Sequence, residues 1–409
     1  MKNIKKFVEY FKEGCKNEFK IGLEIEHFIV KKNTLESVSY YGENGVKKIL
    51  EELEDQFEET VYEQGEIIGL SNKSAYITLE PGSQMELSMI SCQNICEIKE
   101  IYDWFLTILQ PVLERHSYQL YYGGYLPKNK VEDIQLIPKK RYEFMDQYFQ
   151  KTGIYGKDMM RGTASCQISI DYCDEEDFIL KYRIANVLVP VLYLITDNTI
   201  KFKLPSEKRF AGRAEIWEHV DKERTGIPPS IFDSDFSFKK YAECMQKVPA
   251  IFSYFNNQCV YTDEKRIESL IAEYGVDEEL VQHYLSMIFY DVRLKQYIEI
   301  RPGDSMPVEY ALSYAAFIKG IFSNPNKLKE FYLQYQVKNE DIQQAKEEIM
   351  KKGYEAVIYH KNVHEMAMEL FQMAKDNLEE EEKAFLVPLY NLVKNKKTLA
   401  EENRKEEER

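Results

Sequence analysis

Tryptophan is scarce in this chain, at two of 409 residues, and cysteine amounts to seven scattered positions: Cys15, Cys92, Cys96, Cys166, Cys173, Cys244 and Cys259. An odd, scattered set excludes a disulfide framework and leads us to expect a reducing, cytoplasmic setting. Cys92 and Cys96 lack a second Cys or His pair nearby, so a structural zinc site is not expected. Positive charge is in deficit, with 54 Lys and Arg against 69 Asp and Glu and a formal net charge of −15. That balance argues against nucleic acid as a partner and requires any anionic substrate to be met by local Arg, Lys or metal. Neither the Gly-x-Gly-x-x-Gly nor the Gly-x4-Gly-Lys-Ser/Thr phosphate loop occurs, so a bound nucleotide must be held without a glycine cradle. Long hydrophobic runs are missing too. Residues 187–195, the most apolar stretch, contain Pro190 and are too short to cross a bilayer, so no membrane partner is expected. Residues 1–10 read as an amphipathic helix rather than a leader.

What the chain does have is a set of short strands with acids on one face. Residues 22–26, 80–88, 165–171 and 297–301 alternate apolar and polar side chains. Strand side chains alternate between faces, so Glu24 shares a face with Glu26, Gln84 with Glu86, and Glu299 with Arg301. The bland readings are a solvated strand face and a cross-strand ion pair. Together, Glu24, Glu26, Glu80, Glu86 and Glu299 read differently, because acids aimed at one surface repel unless cations lie between them. Hard divalent cations prefer oxygen ligands, and Mg²⁺ in turn suggests a bound phosphate. The Pro81-Gly82 turn lets Glu80 and Glu86 approach from two directions. Gln167 takes a similar inward polar position, and Arg301 suits a planar oxyanion. A second cluster lies in a polar stretch, with Arg213, Trp217, His219, Asp221 and Arg224 close together. It reads either as a hydrated loop or as an anion-binding one. His360 and His364 stand four apart without the glutamate of the protease motif, and read as surface histidines.

Periodicity predicts helices over residues 3–13, 44–58, 94–119 and 140–151, from about 174, and over 238–247, 264–273, 277–289 and 306–321. Strands are predicted at 21–30, 61–70, 74–79, 80–88, 165–172 and 296–302. Residues 204–230 read as one long loop. Helices separating cleanly alternating strands favour an α+β fold around an antiparallel sheet with one covered and one open polar face. A catalytic domain is expected over residues 1–323, a packed helical extension over 324–398, and a disordered charged tail over 399–409.

In order along the chain, Gly22-Leu-Glu-Ile-Glu-His27, Leu79-Glu-Pro-Gly-Ser-Gln-Met-Glu-Leu-Ser88, Arg161-Gly-Thr-Ala-Ser-Cys-Gln-Ile-Ser-Ile-Asp171, Gly212-Arg-Ala-Glu-Ile-Trp217, Asp221-Lys-Glu-Arg-Thr-Gly226 and Val292-Arg-Leu-Lys-Gln-Tyr-Ile-Glu-Ile-Arg301 resemble the plant and proteobacterial type of glutamate–cysteine ligase. The resemblance covers about residues 20–320, and the helices after 324 find no counterpart in it. It implies a glutamine-synthetase-like catalytic fold whose curved antiparallel sheet forms a funnel. It also implies ATP-dependent joining of the glutamate side-chain carboxyl to the cysteine amine through a γ-glutamyl phosphate, the first step of glutathione synthesis. On the same grounds Glu24, Glu26, Glu80, Glu86 and Glu299 are expected to hold two or three Mg²⁺, and Gln167 to line the site. Arg213, Trp217 and Arg224 are expected to face the substrates, and Arg301 the moving phosphate. Glutamate, cysteine and ATP are the expected small-molecule partners of a monomer or homodimer. A ligase using another acceptor amine and a non-catalytic binding protein on the same fold remain the alternatives.

Overall fold

A computed structural model describes residues 2–256, 258–335 and 337–407. The strands, in chain order, are β1 (Ile21–Lys31), β2 (Glu59–Glu63), β3 (Glu66–Ser71), β4 (Ala75–Leu79), β5 (Met85–Met89), β6 (Tyr118–Tyr121), β7 (Cys166–Ile170), β8 (Thr225–Gly226), β9 (Phe252–Phe255), β10 (Gln258–Tyr261), β11 (Phe289–Tyr290), β12 (Val292–Leu294), β13 (Ile298–Ile300), β14 (Val357–Ile358) and β15 (Lys361–Asn362). The helices are α1 (Lys2–Glu13), α2 (Val46–Leu53), α3 (Ile95–Arg115), α4 (Lys140–Thr152), α5 (Glu175–Ile195), α6 (Gly212–Glu218), α7 (Phe238–Gln246), α8 (Ile267–Tyr274), α9 (Glu278–Leu285), α10 (Val308–Phe322), α11 (Pro325–Gln334), α12 (Asn339–Lys352), α13 (Val363–Asn377), α14 (Val387–Lys394) and α15 (Leu399–Glu407).

One nine-stranded sheet organises the molecule in the order β12-β13-β7-β1-β5-β4-β3-β2, with β6 paired to the far half of β1. Every pairing within it is antiparallel. Strict alternation along these strands separates two chemistries. Ile21, Leu23 and Ile25 of β1, Met85 and Leu87 of β5, Ile168 and Ile170 of β7 and Ile298 and Ile300 of β13 are fully or almost fully buried. Helices α10 and α5 pack against this side of the sheet, and α3 packs on α10. Each such Leu or Ile contributes about 1.5–3 kcal/mol by leaving water. The intervening residues Glu24, Glu26, Glu86, Gln167 and Glu299 fall on the other face, which opens into a cavity. This is a mixed α/β fold with a mostly antiparallel curved sheet: the alternation predicts the antiparallel sheet, and the resemblance implies its curvature.

Several elements depart from expectation. The strand predicted over 61–70 is two strands, β2 and β3, joined by a turn at Gln64 (φ 53°) and Gly65 (φ 81°). Left-handed geometry at a glutamine is uncommon and left no turn signal in the sequence. Residues 204–230 are not a continuous loop but contain α6, whose N-cap Ala211 is itself left-handed (φ 54°). The β9–β10 hairpin and β6 were not predicted either. Helix α5 is longer than the apolar stretch suggested: its 21 residues match a spanning helix by length and composition, yet its apolar side chains lie in the core. After residue 324 the chain is helical apart from the short β14–β15 hairpin, with α11 and α12 packed on α5 and α13 and α14 on α10. The expected disordered tail over 399–409 is ordered over its described part. Leu399 and Ala400 are buried, and Asn403 and Arg404 hydrogen-bond to Asn198 and Thr199. Two apolar anchors and side-chain contacts to the core offset the ordering entropy that composition alone left unopposed; residues 408 and 409 lie outside the described residues.

Candidate active site

The polar face of the sheet floors a cavity of about 260 Å³. Its walls come from α4 (Arg141, Tyr142, Met145), a π-helical turn over Asp158–Gly162 (Met159, Met160), α6 (Arg213, Trp217) and the segment from Ser286 to Phe289. Single π-turns recur at functional sites because they push side chains off the regular helical register.

Four of the five predicted acids meet there. Register places Glu26 directly opposite Glu86 across β1–β5, and Glu24 opposite Gln167 across β1–β7. Glu80 arrives from the turn that joins β4 to β5. That turn is held by the Glu80 N–H donating to the Gln84 carbonyl (2.9 Å) and the Gly82 N–H donating to Gln84 Oε1 (2.8 Å). A Cβ on Gly82 would sit 2.8 Å from the Arg161 carbonyl, so glycine is required by close approach. Gln84 is spent on this turn and on the Thr163 carbonyl. Ser165 donates its N–H and hydroxyl to the two oxygens of Glu26 at 2.8 and 2.6 Å, and Thr78 and Ser88 both donate to Oε1 of Glu86. The side-chain carboxylates of Glu24 and Glu80 accept no hydrogen bond and form no ion pair among the described residues, although the Glu80 carbonyl accepts from the Ser83 N–H at 2.9 Å. Burial first, then the neighbouring carboxylates, pushes Glu24 and Glu80 up to about 8 and Glu26 up to about 7. Like charges opposed across a strand pair destabilise the sheet, so these acids favour a cation.

The fifth acid behaves differently. Glu299 is 1% exposed and does not line the cavity. Arg293, its register partner across β12–β13, grips it with two nitrogens at 2.7 and 2.9 Å. Lys295 (2.7 Å) and Arg301 (3.0 Å) complete the set, and these cations hold its carboxyl far below the usual range despite burial. Its expected place as a metal ligand is therefore corrected: both oxygens are already committed to cations, so it anchors Arg301 instead. Arg301 Nη1 also donates to Gln167 Oε1 at 2.6 Å, while the Gln167 Nε2 reaches Glu26 at 3.3 Å. Gln167 thus links the acidic and basic halves of the site.

Arg213 and Trp217, one helical turn apart on α6, both face the cavity. Two guanidiniums, those of Arg213 and Arg301, each stand 5.7 Å from the Trp217 ring centroid. Trp217 Nε1 and Arg213 Nε are buried without a hydrogen-bond partner among the described residues. Arg224 does not reach the cavity. It is fully buried, paired to Asp221 at 2.6 Å, and bonded to the Tyr148 hydroxyl and to the carbonyls of Met287 and Pro249. Its expected role in substrate contact is corrected on that geometry: the cluster of charges in 213–224 splits, one part facing the site and the other bracing the fold. The residues sequence reasoning missed are Arg141, Tyr142 and the methionines of the wall, which carry no pattern of their own. Arg293 and Lys295 were also missed, although their alternation opposite Glu299 was a usable signal.

Among the described residues no three His, Cys, Asp or Glu side chains form a ready-made metal cage. The donor set nevertheless suits a hard divalent cation, because it is all oxygen, shares one cavity, and includes two carboxylates without protein partners.

Comparison with solved structures gives the fold first. The chain superposes on a glutamate–cysteine ligase from Francisella tularensis, solved in complex with AMP, over 93% of this chain and 83% of that one, with a TM-score of 0.51. At 13% identity the likeness is one of fold. The family follows from sequence: the model of glutamate-cysteine ligase family 2 matches residues 20–406, and the chain belongs to that family. The match extends through the helices after 324, which the sequence reading had left without a counterpart. Relatives include the chloroplastic glutamate–cysteine ligases of Arabidopsis thaliana (31% identical, 79% of this chain and 63% of that protein) and Brassica juncea (31%, 79% and 64%). The tomato enzyme, Solanum lycopersicum, is 28% identical over 96% of this chain and 77% of its own length. The chain therefore spans just under two thirds of the Arabidopsis and Brassica proteins. These relatives are named chloroplastic, which overturns the inference from free cysteines to a cytoplasmic location: reduced thiols do not distinguish one reducing compartment from another.

Proposed function

We propose that the protein is a glutamate–cysteine ligase: it joins the γ-carboxyl of L-glutamate to the amine of L-cysteine at the expense of ATP, giving γ-glutamylcysteine, ADP and phosphate. The observation that carries the proposal is the cavity itself, lined by the four carboxylates Glu24, Glu26, Glu80 and Glu86 together with Arg213, Arg301 and Trp217. Family membership and the fold shared with a ligase solved with AMP support it.

A carboxylate is a poor acyl donor, and phosphorylation by ATP makes an acyl phosphate that an amine can attack. The first transfer needs alignment and charge neutralisation rather than covalent help from protein. Glu24, Glu26, Glu80 and Glu86 would hold two or three Mg²⁺, with remaining ligands from phosphate and water; the ions would neutralise the phosphate oxygens. Arg301, oriented by Gln167 and Glu299, offers a guanidinium to the transferring phosphoryl group. Arg213 and Trp217 bind and orient substrate, the arginine through its anion-matching fork and the indole through the one N–H it can donate. Residues 1–323 form the catalytic unit in this reading, and 324–398 a helical extension packed on it. Mass spectrometry of mixtures containing ATP, Mg²⁺, glutamate and cysteine tests the proposal. A product of γ-glutamylcysteine mass is expected. ADP release with an amine other than cysteine, and none with cysteine, would assign the chain to a different acceptor.

A further inference from the structure

Helix α6 carries two residues of the site, yet it has seven residues and no side-chain N-cap. So short a helix has little stability of its own, and its orientation must be imposed from outside. The imposing element is α12, on the far side from the cavity. Lys346 of α12 is 1% exposed, and its ammonium forms ion pairs with Glu218 of α6 and with Asp291 at 2.8 Å. Gln343 donates to the second oxygen of Glu218, so α12 engages both. Tyr193 donates to the remaining oxygen of Asp291 at 2.7 Å, and its ring lies 5.4 Å from the Lys346 ammonium. A parallel strap runs from Glu347 through Lys208 (2.9 Å) to Glu215 of α6 (2.6 Å).

Asp291 ties the same ammonium to the second half of the site. Its carbonyl accepts from the Arg301 N–H at 3.0 Å, and the Arg301 carbonyl in turn accepts from Arg213 Nη1 at 3.0 Å. One buried cation therefore holds both the helix bearing Arg213 and Trp217 and the strand segment bearing Arg301. We propose that Lys346 is a positioning residue. It sets the spacing of the Arg213–Trp217–Arg301 wall against the acidic floor, and this is the contribution of the C-terminal helices to the site. Buried ion pairs add little net stability compared with apolar packing, so their value here is specificity of geometry. The inference builds on the activity proposed above, but its geometric half stands without it.

The test uses the full chain in a Trp104→Phe background, which leaves Trp217 as the sole tryptophan. Two variants are compared, Lys346→Met and the milder Glu218→Gln, which keeps the Lys346–Asp291 pair. Trp217 is 8% exposed, so acrylamide should quench it weakly in the parent and more strongly in both variants. The KM for glutamate or ATP should rise roughly 10-fold in Glu218→Gln with kcat within about 2-fold, because misplacing a binding group by an ångström or less acts on this scale. If Lys346→Met does not fold, Glu218→Gln decides. Folded variants with parental quenching and parental KM values would overturn the proposal. Should the parent form no amide at all, the activity reading fails, while the quenching comparison still decides the positioning role.

Discussion

Glu299 and a group of four other glutamates share the polar face of one sheet, and they solve the same problem in opposite ways. Glu299 keeps its charge because Arg293, Lys295 and Arg301 surround it. Across β7, Glu24, Glu26, Glu80 and Glu86 face one another with hydroxyl and amide donors but no ion pair among the described residues, and burial with mutual repulsion raises the first three. All five are glutamates on the polar side of the sheet; Glu26 and Glu299 are buried, and Glu24, Glu80 and Glu86 are partly so. What differs is whether the protein supplies the counter-charge. The first arrangement is a finished structural unit that aims Arg301; the second is completed by a cation from solution.

Removing the charge of Glu299 should hurt the fold most. Glu299→Gln leaves three cations facing a neutral amide in a buried site, and should cost about 3–5 kcal/mol of stability by urea denaturation. Glu80→Gln should cost the metal-free protein little or nothing; equal losses for the two variants would erase the distinction. The activity contrast comes next. Glu24→Gln and Glu80→Gln should each lower Mg²⁺-dependent ADP release about 100-fold or more, with folding intact, since metal ligands act in the transfer step itself. Unchanged turnover at ordinary Mg²⁺ would remove them from the site.

The subtlest contrast is in pH. A carboxyl whose folded pKa lies above its unfolded value binds protons more tightly in the native state. Metal-free stability should therefore fall as pH rises from about 4.5, the unfolded value, to about 8, the folded value of Glu24 and Glu80. Glu80→Gln should flatten this slope, and Mg²⁺ should oppose it increasingly as pH rises. For Glu299 the sign is reversed, because its folded value is depressed: its contribution is present above about 4.5 and is lost as pH falls below it. Thermal melts across this range, with EDTA and with Mg²⁺, read both signs.

Much of this was readable in one dimension. Alternation in 22–26 and 297–301 placed Glu24, Glu26, Glu299 and Arg301 on their faces, because the strand period of two leaves no freedom once the apolar set is buried. The convergence of Glu80 with Glu86 followed from a Pro-Gly turn. Direction beyond the backbone was not readable. Arg213 and Arg224 look equivalent in a polar stretch, yet Asp221 and Tyr148 draw Arg224 into the core while α6 turns Arg213 to the cavity. Helix α6 itself was hidden, since its short length and left-handed Ala211 cap carry no propensity signal, and its support comes from α12, more than a hundred residues away.

The amino-acid order by itself determined the strand faces, the acid set and the family, because these depend on local periodicity and on residue identity at matched positions. The tertiary structure alone decided which carboxylates are neutralised by protein, which arginine reaches the cavity and where the helices after residue 324 pack. Each of those outcomes depends on charges brought together from distant segments, and at such ranges the energy of a buried charge is set by its neighbours in space rather than by its neighbours in the chain.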